Sequence, residues 1–214
     1  LTNNGTIAHT AASGTLAVNG ILNNAGTITG GAAPLTIGIY SATGNLTNGA
    51  GATTVNGTVS LAGTANINMN TGNFFALSTT TLSGTSSITD GNNTGANLFV
   101  GLVSVGAGCS FSSANNSAFE FRGGIQHDGA SFSLTGSGAV SFSTSNQSLS
   151  GASAMTIANV SISGINLTNS NSGGVNVTTT CTGTNGASQL TQGNNAIFNF
   201  TGSSLMPTGI LTAT

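Results

Sequence analysis

The stretch Phe119 to Gly129, FEFRGGIQHDG, gathers Glu120, Arg122 and Asp128, all the charged side chains of the 214-residue chain except Asp90, together with His127, one of its two histidines. Two carboxylates, an imidazole and a cation in so short a run could serve acid–base chemistry on a glycan. Glycoside cleavage needs two carboxyl groups about 5–9.5 Å apart, and Glu120 with Asp128 is the only nearby pair. Lyase chemistry would call for an Arg or Lys base and several acids around a calcium ion, whereas this chain has one Arg and three acids. Phe119, Glu120, Phe121 and Arg122 alternate, so a strand that buries both rings turns Glu120 and Arg122 to one outer face. The plainer expectation is an exposed ion pair worth about 0–1 kcal/mol. No catalytic residue is assigned, and the chain is expected not to be an enzyme.

The remaining reactive side chains point the same way. His9, in IAHTAASG, lies 118 residues from His127, and no His–His or Cys–His ligand spacing is present, so neither a metal nor a cofactor is expected. Asp90, before Gly91 in SITDGNNTG, reads as a turn residue. Cys109 and Cys181 form an even pair, which in an exported protein suggests a disulfide. Their alternating surroundings, GAGCSFS and TTTCTGT, favour two small buried thiols instead.

What must position these residues follows from composition. Only 2% of residues are charged, against about 25% in ordinary domains. Intrinsic disorder does not fit, because 37% of residues are hydrophobic at a net charge of −2. One Arg without a Lys cannot neutralise a row of phosphates, which excludes a nucleic-acid partner. Apolar runs such as LFVGLVSVGAG fall short of the roughly 20 residues of a spanning helix. The chain opens in patterned sequence, LTNNGTI, so an exported protein would already have lost its signal.

Gly, Ser, Thr and Asn are poor helix formers, and no 3.6-residue apolar period persists. Runs such as TLAVNG, TVSLAG, NINMN, SFSL and VSISGINLT alternate apolar and polar residues, the period of a strand with one buried face. Gly and Asn-Gly pairs separate them. A longer beat overlies the short one: Gly5, Gly26, Gly44, Gly63 and Gly84 are 21, 18, 19 and 21 residues apart, Phe111 and Phe132 are 21 apart, Phe121 and Phe142 are 21 apart, and Ile157 and Val177 are 20 apart. Such a period argues for an all-β fold, a parallel β-helix (β-solenoid) of roughly ten coils of about 20 residues filling 1–214 as one domain. Val, Ile, Leu and Phe would pile up inside, with Thr and Ser laddering outside. A β-sandwich is the alternative.

From Ala130 the chain reads ASFSLTGSGAVSFSTSNQSLSGASAMTIANVSISGINLTN. Phe132, Gly138, Val140, Phe142, Gln147, Leu149, Gly151, Ile157, Asn159, Val160, Ile162 and Gly164 carry a phrase that resembles the repeat units of large extracellular surface proteins of Bacteroidetes-type bacteria. The first 90 residues, with LTNNGTI, ILNNAGTITG and TVNGTVSLAG, are similar to the β-helical stalks of bacterial adhesins and autotransporter passengers. The resemblance implies a secreted or cell-surface structural protein with no catalytic residues to carry over.

The expected role is therefore a structural subunit of an extracellular fibre or filament, assembled head-to-tail by β-strand addition or coil stacking. Neither LTNNGTIAHT nor TGSSLMPTGILTAT contains Lys, Arg, Asp or Glu, and Pro207 alone could break pairing. The candidate assembly interface comprises Leu1, Thr2 and Ile7 at one end and Leu205, Met206, Ile210 and Leu211 at the other, with copies of the chain as the partner. The alternative is an adhesin stalk or a glycan- or ice-binding module facing a surface glycan or a neighbouring cell. A regular T-x-T array, the signature of an ice-binding face, is not visible, and a glycan groove would want aromatic rings where the chain has no Trp and a single Tyr, Tyr40.

Overall fold

The computed structural model describes residues 1–10, 12–91, 94–205 and 208–213. Among them are 27 strands and no helix, hence no helix long and apolar enough to cross a membrane. Pairing is parallel from the first strand to the last, which excludes the sandwich, where strands run antiparallel.

Each coil has three sides. In one mid-chain turn, Val59–Leu61 forms the first face, Asn66–Asn68 the second and Phe74–Ala76 the third. Each pairs with its counterpart one coil on, at Thr80–Leu82, Ser87–Asp90 and Ala96–Phe99. Ten coils run from Thr2–Asn3 on the first face to Ser204–Leu205 on the third, and Ile210–Ala213 opens an eleventh by pairing with Gln189–Gln192. At about 4.8 Å per coil the rod is roughly 50 Å long. The step between paired residues ranges from 18, at Thr27 and Asn45, to 24, at Ile125 and Leu149.

The spacings read from sequence are the lateral pairs of this rod. Phe111 pairs with Phe132, Phe121 with Phe142 and Ile157 with Val177. The glycine series falls at the corner between the first and second faces. There the chain passes so close to the coil below that a Cβ on Gly26 would lie 1.9 Å from the Gly5 carbonyl oxygen, and one on Gly44 2.0 Å from that of Gly26. Elsewhere corners are turned without a break: Leu16–Asn24 bends from the third face to the first, with a register shift between Val18 and Ile21.

Alternation drives the core. In strand after strand the pattern is buried, half-exposed, buried, as in Val103–Val105 and Val140–Phe142. The inward side chains form a single apolar column system with phenylalanines at its centre. Phe99, Phe121 and Phe142 stack at centroid distances of 5.4 and 5.8 Å, and Phe111 stacks on Phe132 at 5.1 Å. Both thiols are buried and unbridged, as the alternation around them implies, and burial pushes Cys181 up to about 12.

Candidate functional site

The charged cluster is split by the turn at Gly123 and Gly124. Ala118–Phe121 lies on the third face and Ile125–His127 on the first. With Phe119 and Phe121 buried, Glu120 and Arg122 share the outer face, and Arg122 Nε donates to Glu120 Oε1 at 2.8 Å. The Ser143 hydroxyl of the next coil donates to the same oxygen. The Arg122 bond holds the Glu120 carboxyl below its ordinary range, and its own guanidinium is raised in return.

Asp128 stands around the corner from this pair and serves the backbone. Its Oδ1 accepts from the Ala152 N–H at 2.8 Å and its Oδ2 from Gln126 Nε2 at 2.9 Å, bonds that lower its pKa, the first most. His127 points the other way, into the core, with no exposed surface and its ring centroid 5.9 Å from that of Phe132. Its Nδ1 accepts from the Gly129 N–H at 3.3 Å, so the proton rides on Nε2, which finds no partner of good geometry. Burial lowers the imidazole pKa, with Asp128 and the Ala154 backbone opposing. Glu120 and Asp128 are thus committed to separate local networks on different faces. Among the described residues no group of three His, Cys, Asp or Glu side chains converges as a metal site.

Asp90 departs from expectation. It is the last residue of the strand Ser87–Asp90, not of a turn, and its carboxylate is buried, accepting from the Ser113 hydroxyl at 2.7 Å. Tyr40 is equally unavailable to a ligand: it is fully buried, accepts from Asn24 Nδ2 at 3.0 Å and is pushed up to about 12 by burial. Asn24 in turn accepts from Asn3 Nδ2 at 2.8 Å, so a polar ladder runs inside the first coils.

The outer face around Glu120 is a shallow groove of about 410 Å³, running from Phe75 across Leu98 and Glu120 to Ser141, Ser161 and Thr184. Phe75 faces out because Phe74 and Ala76 on either side of it face in. The signal was in the sequence: two adjacent phenylalanines, NFFALS, cannot both be buried in a strand of period two. On the second face hydroxyls and amides are mixed, Thr27 and Thr29, then Asn45 and Thr47, then Asn66 and Asn68, so no unbroken threonine lattice forms there.

The candidate assembly residues lie at opposite ends of the rod. Leu1 is 64% exposed and its ammonium group donates to the Ile21 carbonyl. Thr2 is exposed on the first strand, and Ile7 is packed partly against the core. Leu205, Ile210 and Leu211 are exposed in the last coils, while Met206, with Pro207, lies outside the described residues.

These features define a three-sided parallel β-solenoid with polar outer ladders. No protein-family model, curated protein or solved structure matches the chain.

Proposed function

We propose that the protein is a structural rod, the subunit of an extracellular fibre in which copies stack head to tail. The observation that carries this reading is the state of the core columns at the last coils. The first-face column that buries Leu167 and Leu190 continues to Leu211, which is 51% exposed beside Ile210 at 47% and Leu205 at 38%. Gln192, Ala196, Ile197, Phe198 and Leu211 surround a largely apolar recess of about 420 Å³ there. An apolar strand edge of this kind is a template for another strand.

The two ends speak the same structural language. Asn3, in Leu1-Thr2-Asn3, accepts the Gly5 N–H and donates to the Asn24 side chain and the Thr27 carbonyl. Asn169, in Leu167-Thr168-Asn169, accepts the Asn171 N–H and donates to the Gln192 side chain and the Ile197 carbonyl. Coils that use one bonding scheme at both ends suit continuation of the rod by a second copy, and a heterologous contact that does not close into a ring propagates as a filament. The extracellular setting rests on the near absence of charge and on the resemblance to surface-protein repeats. Electron microscopy and sedimentation test the reading: the intact chain should form filaments of single-rod width, and removal of Leu205 to Thr214 should abolish or shorten them. A stable monomer at high concentration, or full filaments from the truncated chain, would replace this reading with that of a stalk module.

A further inference from the structure

We propose that the third face is a binding site for a neutral glycan chain laid along the rod axis, independently of whether copies stack. The groove follows one outward column in register: Phe75 pairs with Leu98, Leu98 with Glu120, Glu120 with Ser141 and Ser141 with Ser161, and Thr184 of the next coil closes the lining. Five steps of about 4.8 Å give a track of roughly 24 Å, long enough for several sugar rings.

The chemistry changes along the track in the order a glycan needs. At one end Phe75 and Leu98 offer an apolar platform, bordered by the small Ala96 and Ala118, against which the C–H face of a sugar ring can pack. Next comes the Glu120–Arg122 pair, with side chains 35% and 36% exposed. Both intrachain bonds to Glu120 go to Oε1, and Arg122 contributes only Nε. Glu120, which lines the groove, and Arg122 beside it therefore present a carboxylate and a guanidinium on the outer face, each about one-third exposed. An acceptor adjacent to donors matches two neighbouring hydroxyls of a sugar. Beyond them Ser141 and Ser161 carry hydroxyls along the groove.

Other occupants fit less well. A peptide strand needs an open edge, and the backbone of this face is paired above and below. A nucleic acid needs more than one cation. A lipid chain needs apolar surface along the whole track, whereas Ser141, Ser143, Ser161, Ser163 and Thr184 line its far part. The one carboxylate and the one guanidinium cancel, which favours an uncharged polymer over a polyuronate.

The test is titration of the intact chain with cellohexaose, chitohexaose, xylohexaose and mannohexaose, followed by calorimetry and amide NMR shifts. At least one should bind saturably with Kd of about 1 mM or tighter, shifting amides of the third face. Phe75→Ala and Glu120→Gln should each weaken that binding at least about tenfold, while Thr81→Ala on the first face leaves it intact. Ser161→Gln, which fills the track without touching the core, provides a variant whose folding is not at risk and should block binding. Absence of binding by all four hexasaccharides at about 10 mM, unchanged affinity in all three groove variants, or binding of oligogalacturonate alone would overturn the proposal. Filament formation is read separately, so loss of one property leaves the other standing.

Discussion

In the middle of the rod Phe111 and Phe132 stack at 5.1 Å within one inward column of the second face, and both are essentially inaccessible. The same column runs on through Met155 and Val175 to Phe198, which stays partly exposed although it occupies an equivalent site. The two phenylalanine environments differ in neighbours and not in side-chain type: the central ring has a coil on each side, the terminal ring a coil on one. Stability in a solenoid is close to a sum over neighbouring repeats, so the end coil is where any added coil would gain most. The middle also has room that the shorter coils nearer the start lack. Coils with steps of 18 or 19 residues enclose Leu, Ile and Ala, with Tyr40 as their one aromatic, while steps of 21 to 23 accompany Phe99, Phe111, Phe121 and Phe132.

The sharpest way to break this comparison is to shorten both rings. Phe111→Ala removes a ring that contacts Phe99, Phe121 and Phe132 at 5.4, 6.2 and 5.1 Å, and should cost about 3–5 kcal/mol by denaturant unfolding. Phe198→Ala should cost less than about half of that in the monomer, since part of its surface never leaves water. Equal losses would mean that the terminal column is covered as fully as the central one. A Phe198 effect that grows with protein concentration would locate the cover in a second copy.

A smaller effect separates two kinds of buried polar group. The Asn3, Asn24 and Tyr40 ladder satisfies its members from coil to coil, whereas His127 keeps Nε2 without a well-formed bond in the aromatic middle. Because burial depresses the folded-state pKa of His127, the unfolded chain binds the proton more readily. Stability is then fully present above the unfolded value of about 6.5 and declines as pH falls below it, by at most about 1.4 kcal/mol per pH unit for one proton. Thermal melts from pH 8 to 5 should show this decline, and His127→Leu should flatten it. An unchanged slope in the variant would assign the decline elsewhere. Glu120 and Asp128, both depressed, act in the same direction only at lower pH, below the ordinary carboxylate range.

The sequence made the coil legible because lateral stacking repeats residue types: the Phe111–Phe132 and Phe121–Phe142 spacings are true neighbour distances, and Gly26, Gly44 and Gly84 of the corner series stand where a Cβ would strike the coil below. What it concealed follows from the limits of a period of two. Alternation states that one of Phe74 and Phe75 faces out without stating what surrounds it, and the groove exists only once Leu98, Glu120, Ser141 and Ser161 are brought alongside from as far as 86 residues on. Asn3 and Asn24 resemble turn residues in an Asn-rich chain because their partners lie a coil away. Asp90 reads as a turn residue for the same reason, its hydroxyl partner Ser113 being 23 residues distant.

The smallest predicted effect concerns the residues that look most like an active site. Glu120 and Arg122 form an ion pair about one-third exposed, with Ser143 as a further donor to the carboxylate. Such a pair gains little in water, because solvent screens it and ordering two long side chains costs entropy. The phenylalanines on either side of Glu120 are inward and keep their packing when the outward side chains change. Replacing both Glu120 and Arg122 with Ser should therefore shift stability by no more than about 1 kcal/mol, far below the cost of Phe111→Ala, and leave circular dichroism unaltered. The same variant should lose glycan binding while keeping its fold, which divides the outward role of the pair from any structural one. Loss of folding in the double variant would place the pair among the supports of the aromatic middle. Breakdown of a polysaccharide by the intact chain, absent in the variant, would overturn the non-catalytic reading of Glu120 and Arg122.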